Sequence, residues 1–198
     1  KLMFPEAEIV KGDILDYESL EEACKDIDTV IHLAGMISYS ASRKELFKVN
    51  YTGTLNLLKA SKNVKRFIFS SSVGVLGPVK NVADEETEPN PITPYAESKL
   101  AAEKVVLENN GIALRLAPVY GEGSPLWLGI LRMLEKRFPV PKTENLTHIL
   151  HVSDAAQAFE LAIKRGEGVY LIAHKETIKF LDLVKEICDL LGKKPRIW

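Results

Sequence analysis

Two kinds of hydrophobic pattern alternate along the chain. Short runs that are apolar almost throughout, at 28–35, 67–71, 112–117 and 169–173, read as strands buried on both faces. Between them lie longer stretches with apolar residues at helical spacing. These are 19–25 with Asp16 as its cap, 45–62 interrupted by Gly53, and 95–108 stopped by Asn109-Asn110-Gly111. Further on come 126–136, an Ala-rich helix capped by Ser153-Asp154 and running to Arg165, and an amphipathic helix from Ile178 to Leu191 stopped by Gly192. Ala7–Val10 and Ile149–Val152 are shorter strand candidates, and 138–145 reads as loop. Strand and helix in alternation, with strands apolar on both sides, predict an α/β fold with a doubly wound parallel sheet.

Composition narrows the class of partner. The 198 residues are 46% hydrophobic and 27% charged, values of an ordinary globular chain that forms one domain, or one domain with a small lobe. The net charge of −1 and the lack of a basic block exclude a nucleic-acid face. Apolar runs stop well short of a membrane span and no signal-peptide pattern opens the sequence, so a cytoplasmic protein without membrane contact is expected. Cys24 and Cys188 form no Cys-x-x-Cys motif and read as reduced thiols. No internal repeat is present.

The chemistry concentrates between Phe67 and Lys99. The Phe67 strand ends in Ser70, Ser71 and Ser72, and Pro94-Tyr95-Ala96-Glu97-Ser98-Lys99 opens a helix. Residues four apart share a helix face, which brings the Tyr95 phenol and the Lys99 ammonium together. A free tyrosine titrates near ~10, and an adjacent cation favours its phenolate. Such a phenol exchanges protons with an alcohol or ketone near neutrality. A serine at the carboxyl end of the strand can hold the same substrate oxygen. Oxidation of a secondary alcohol or reduction of a carbonyl follows, and that needs a bound hydride carrier. A single Tyr-x-x-x-Lys also arises by chance; its weight comes from opening a helix soon after a serine-tipped strand. Ser70 and Ser71 serve equally well as plain strand ends, and His32 reads as a hydrogen-bonded core residue. His148 and His151 lack an acidic or Cys partner at ligand spacing, so no metal is expected. Asp84-Glu85-Glu86 reads as a solvated loop.

These residues resemble the extended short-chain dehydrogenases/reductases, the NAD-dependent epimerase/dehydratase family, over nearly the whole chain. Gly12-Asp13-Ile14-Leu15-Asp16 is similar to that family's loop against the adenine ring, and Val30-Ile31-His32-Leu33-Ala34-Gly35 to the strand and turn along the cofactor. Asn50-Tyr51-Thr52-Gly53-Thr54 resembles the helix that supports the active site from behind. Leu114-Arg115-Leu116-Ala117-Pro118-Val119-Tyr120-Gly121 resembles the strand and turn that approach the nicotinamide, and His151 to Ala156 the segment returning to the main domain. The resemblance implies Ser72, Tyr95 and Lys99 as catalytic residues. Asp13, Ile14, Leu33, Ala34, Gly35, Asn50 and Ser70, with Tyr95, Lys99, Pro118 and Val119, are its implied contacts to NAD or NADP. It also implies a Rossmann-like domain over 1–118 and 148–173, a small substrate lobe over 119–147 and 174–198, and a homodimer through the helices at 45–62 and 95–108.

The departures are informative too. The family's first strand, Gly-x-x-Gly-x-x-Gly turn, first helix and second strand have no counterpart here, so these residues are expected to be part of a longer chain. The residue that selects NAD or NADP would lie at the end of that second strand. Val73 and Gly74 stand where the family's dehydratases carry an Asp-Glu pair, which disfavours dehydration. Leu76 replaces a tyrosine and Pro118 an asparagine common in sugar epimerases, which leans toward reductases similar to dihydroflavonol reductase or 3β-hydroxysteroid dehydrogenase. Sugar-nucleotide enzymes dominate the family, which leans the other way. The adopted expectation is a nucleotide-sugar enzyme of epimerase type, with the reductase and a non-enzymatic dinucleotide-binding relative as alternatives.

Overall fold

The computed structural model describes residues 6–38 and 40–198. The chain divides into two units, residues up to 115 with 159–170, and 116–158 with 171–198.

The first unit is built on apolar strands. β1 (Thr29–His32), β2 (Arg66–Ser72), β3 (Ile112–Leu116) and β8 (Gly168–Ile172) form a four-stranded parallel sheet in the order β1-β2-β3-β8. β1 and β2 pair in register from Thr29 opposite Arg66 to His32 opposite Phe69. The expected α/β architecture with a parallel, Rossmann-like sheet is therefore present. α1 (Tyr17–Ala23), α2 (Arg43–Phe47), α3 (Gly53–Ala60) and α4 (Pro94–Glu108) flank these strands in sequence. Phe67 and Phe69 of β2 pack with Ala102 and Val106 of α4 and Ala113 of β3, and this cluster fixes α4 against the sheet. Arg66 donates to the Ala162 and Gly166 carbonyls at 2.9 and 3.2 Å, tying the start of β2 to the end of α6 (Val152–Lys164).

The second unit contains shorter elements. β4 (Val119–Tyr120) pairs in parallel with β7 (Leu150–His151), and β5 (Pro139–Val140) pairs with β10 (Arg196–Ile197). β6 (Leu146–Thr147) runs antiparallel to β9 (Ile178–Lys179). α5 (Pro125–Glu135) and α7 (Phe180–Leu190) contribute to an apolar core around Leu134, Val140, Leu181 and Cys188.

Four local expectations need correction. Ala7–Val10 is not a strand, because a strand needs a partner and none of the described strands pairs with it; Ile9 stays 65% exposed. Ser153 and Asp154 lie inside the first turn of α6, which starts at Val152, and do not precede it as caps. Asp16 occupies the N-cap of α1 but its side chain makes no capping bond. Ile178 and Lys179 pair as a strand before α7 begins, so the amphipathic pattern overstated the helix by two residues.

Gly53 shows why a helix-disfavouring residue sits mid-helix. A Cβ there would lie 2.6 Å from Ile14 Cγ1 and 3.3 Å from Ile14 Cβ, so the bare glycine is what lets the 12–16 loop lie on α3. Asn56, one turn on, donates to the Ile14 carbonyl at 3.2 Å and completes the attachment. Gly53→Ala should gain about 1 kcal/mol of helix propensity and lose about 1–3 kcal/mol to overpacking, a net destabilisation in urea unfolding. Adding Ile14→Ala to it should recover that loss, because the second change removes the obstructing atoms.

Candidate functional site

The site begins with an oddity of α4: its buried stripe is not apolar. Ala96, Ala102 and Val106 are buried as expected, but so are Ser98, Lys99 and Glu103. Each needs a partner, since a buried charge or hydroxyl without one costs several kcal/mol. The helix is started firmly, by Pro94 at its first position and by the Thr93 hydroxyl, which accepts from the Ala96 N–H at 3.2 Å. Tyr95 therefore stands, half-buried, in the first turn, one turn before Lys99.

Lys99 is 5% exposed and its ammonium lies over the Phe69 ring, 4.1 Å from the centroid. Burial pushes its pKa down to about 8, against an opposing pull from Glu103. Gly35, in the turn after β1, leaves room beside it: a Cβ there would sit 3.8 Å from Lys99 Nζ and 3.2 Å from Asn50 Oδ1. Leu33, Ala34 and Gly35 are all exposed, so this turn presents its surface beside the buried cation.

Asn50 explains how that turn meets α4. It lies in a π-helical turn, Lys48–Thr52, between α2 and α3. Its amide accepts from the Met36 N–H at 2.7 Å and donates to the Met36 carbonyl at 3.0 Å and the Ser98 hydroxyl at 2.9 Å. Ser98 in turn donates to the Tyr95 carbonyl at 2.7 Å. One side chain thus clamps the turn after β1 to the helix segment that carries Tyr95 and Lys99. Wide π-helical turns recur where a side chain has to be re-aimed for function.

Ser72 is the last residue of β2 and is half-buried. Its hydroxyl accepts from the Gly74 N–H at 3.1 Å and caps a 3₁₀ turn over Val73–Leu76, which leaves its own hydrogen as a donor. A Cβ placed on Gly74 would be 3.3 Å from Ser72 Oγ and 3.8 Å from Ala96 Cβ, so the Ser72 hydroxyl and the first turn of α4 border the same point. Strand alternation turns Ser71 the other way. It is buried, and its hydroxyl donates to Glu103 Oε2 at 2.5 Å. Ser70 is half-buried two residues before Ser72, on the same face.

The remaining expected residues lie as follows. Asp13 is exposed; its carboxylate accepts from the Leu15 N–H at 2.9 Å, closing an Asx turn, and the Ile14 side chain packs on Gly53. Pro118 and Val119 belong to the second unit, where their carbonyls accept from the Leu150 N–H at 3.1 Å and from Trp127 Nε1 at 2.9 Å. His148 Nδ1 bonds the His174 carbonyl and His151 Nδ1 the Ser153 hydroxyl, and no group of three or more metal-ligating side chains occurs among the described residues. The second unit also holds an apolar cavity of about 220 Å³ between α5 and α7, lined by residues such as Trp127, Phe138 and Phe180, with no titratable side chain in its wall.

His32 sits beside this cluster as a core residue. Its Nε2 is 2.9 Å from the Thr54 hydroxyl, and that hydroxyl already donates to the Asn50 carbonyl at 2.6 Å. Thr54 must therefore accept, which places the ring proton on Nε2. Burial, with the Lys99 charge second, pushes the imidazole down to about 3. Below pH 6.5 the unfolded chain takes a proton that the folded one refuses, so stability is fully present above 6.5 and is lost as pH falls toward 3. The loss is at most about 5 kcal/mol. In acid unfolding curves His32→Gln should flatten this part of the pH dependence, and an unchanged slope would show that His32 is not the titrating group.

Glu103, Arg115, Ser98 and the clamping role of Asn50 were not assigned from sequence. A signal was available for the ion pair. Arg115 is the one charge in the Ile112–Leu116 run, and Glu103 continues the Tyr95, Lys99 spacing by one more turn. Nothing in the sequence marks Met36, whose backbone makes the contact.

Solved structures share this fold. MoeE5 in complex with UDP-glucuronic acid and NAD matches with a TM-score of 0.84 at 28% identity, over 96% of this chain and 70% of that one. UDP-glucose 4-epimerase of Thermus thermophilus in complex with NAD matches at 0.82 and 27%, over 98% and 72%. RMD from Pseudomonas aeruginosa complexed with NADPH matches at 0.82 and 27%, over 95% and 75%. The NAD dependent epimerase/dehydratase family model matches residues 2–173, and the chain belongs to that family.

Proposed function

We propose that this protein transfers hydride at a secondary alcohol or ketone carbon of a nucleotide sugar, as an NAD- or NADP-dependent enzyme of epimerase type. The observation that carries this reading is the buried Lys99 ammonium, one helical turn after Tyr95 and beside the space left by Gly35.

The residues fit such a cofactor. The bare backbone at Gly35 and the exposed Leu33–Ala34–Gly35 turn form a cradle that any side chain at position 35 would fill, and Lys99 offers three N–H donors there. Lys99 would hold the ribose hydroxyls, Asp13 and Ile14 the adenine end, and Ser70 the nicotinamide end. When bound, a nicotinamide cofactor would supply reversible hydride transfer. The chain's own part is proton transfer and positioning. Tyr95 takes the alcohol proton as the carbonyl forms and returns it in the reverse step, Lys99 favours its phenolate, and Ser72 donates a hydrogen bond to the same substrate oxygen. Asn50 holds Tyr95 and the Gly35 turn in register. Val73 and Gly74 bring no carboxylate next to Ser72, which argues against dehydration.

A second reading, a reductase or dehydrogenase of a hydroxy or keto compound, is favoured by Leu76, which is buried at 4% exposure and brings no hydroxyl where sugar epimerases carry tyrosine. Incubating the full-length protein with NAD and UDP-glucose or dTDP-glucose separates the two. Conversion to the epimer without net NADH supports the first; NADH formation from a simple secondary alcohol, or consumption of added NADH or NADPH by a simple ketone, supports the second. Neither product from any sugar nucleotide or simple ketone would remove the hydride-transfer reading altogether.

A further inference from the structure

Charged and polarisable groups approach Lys99 from several elements. α4 supplies Tyr95 one turn before it and Glu103 one turn after, β1 supplies the neutral imidazole of His32, and β2 the face of Phe69. The π-turn supplies the uncharged amide of Asn50, and the Arg43–Glu97 pair of α2 and α4 lies at the solvent side. Glu103 is the carboxylate that acts on Lys99 from within the protein. It is 1% exposed, and its place is fixed from two further elements. Arg115 of β3 forks onto it, with Nη2 2.7 Å from Oε1 and Nε 3.2 and 3.1 Å from Oε1 and Oε2. Ser71 of β2 closes it with a 2.5 Å bond.

Such a pair is an expensive way to fill a core. Apolar residues of similar volume stabilise as well or better, so a buried ion pair is weak evidence for a stability role. Its location under the reacting cation points to another use. We propose that Glu103 is a positioning residue that acts through Lys99: held by Arg115 and Ser71, its carboxylate presents negative charge one helical turn below the ammonium and keeps that ammonium charged in a desolvated site.

Burial drives Lys99 toward the neutral amine, which would neither polarise Tyr95 nor bind a diol as a cation. Glu103 opposes that drive. Arg115 offsets the cost of burying that carboxylate.

The inference rests on Lys99 being the cofactor-side cation, yet its test uses neither cofactor nor substrate, so it is decided whether or not the proposed reaction stands. Protein labelled with ¹³C at the lysine Cε is titrated by NMR, with the Lys99 signal assigned by its loss in Lys99→Arg. Glu103→Gln should lower the Lys99 midpoint by about one pH unit or more, a tenfold change in its ionisation constant. Because that variant strands the Arg115 guanidinium in the core, the neutral pair Glu103→Gln/Arg115→Gln is titrated beside it, and its midpoint should also fall. A purely structural pair would leave the midpoint in place, and an unmoved Lys99 titration in either folded variant overturns the proposal.

Discussion

Tyr95→Phe should lower turnover by about 10²- to 10⁴-fold while the cofactor still binds, the range expected when one positioned general acid/base is removed. The phenol leaves, but the other groups that would hold the cofactor stay. Lys99 is fixed over Phe69, Gly35 and Asn50 keep the turn after β1, and Ser98 bonds the Tyr95 backbone. The variant should fold, because Pro94 and the Thr93 hydroxyl start α4. Stopped-flow turnover and cofactor titration by fluorescence measure the two quantities separately. A fall in cofactor affinity with turnover unchanged would make Tyr95 a binding residue and not a proton carrier.

The largest stability effect should come from Arg115→Met. The substitution leaves the Glu103 carboxylate in the interior with only the Ser71 hydroxyl as a described hydrogen-bond partner, and breaking a buried pair in this way costs about 3–5 kcal/mol. Chemical denaturation should show the midpoint falling at constant slope. Removing the stranded charge as well, in Arg115→Met/Glu103→Leu, should restore most of the loss, because the two apolar side chains fill a comparable volume. A cost for the single variant below about 1 kcal/mol would mean that the pair behaves like a solvated surface bridge.

Much of this was legible in the sequence where local pattern and burial coincide. β2 and β3 are apolar because both are largely buried, whereas the expected burial on both faces fails for β1 and β8, where Ile31 and Tyr170 are exposed; Tyr95 and Lys99 fall on one stripe because the helix repeat places them there. Failures came where the outcome depended on distant partners. Ala7–Val10 has strand composition but no described neighbour to pair with, and Ile178–Lys179 is held in a strand by Leu146–Thr147. Gly53 looked like a helix interruption and proved to be the place where Ile14 packs. For Asn50 the resemblance implies a cofactor contact within a supporting helix. Its role as a clamp needed the Met36 backbone, 14 residues away, and Ser98, 48 residues away, and no local spacing encodes either contact.

Hydride transfer itself is tested most directly with isotope. A sugar nucleotide or alcohol substrate carrying deuterium on the carbon to be oxidised is turned over by the full-length protein, and the label is followed. Direct transfer predicts that the deuterium stays out of the solvent, appearing on the nicotinamide or returned to the same carbon in the product. Loss of the deuterium to water would mean that the carbon–hydrogen bond is broken as a proton, and a site built around Tyr95, Lys99 and a bound nicotinamide would then be the wrong account of this chain.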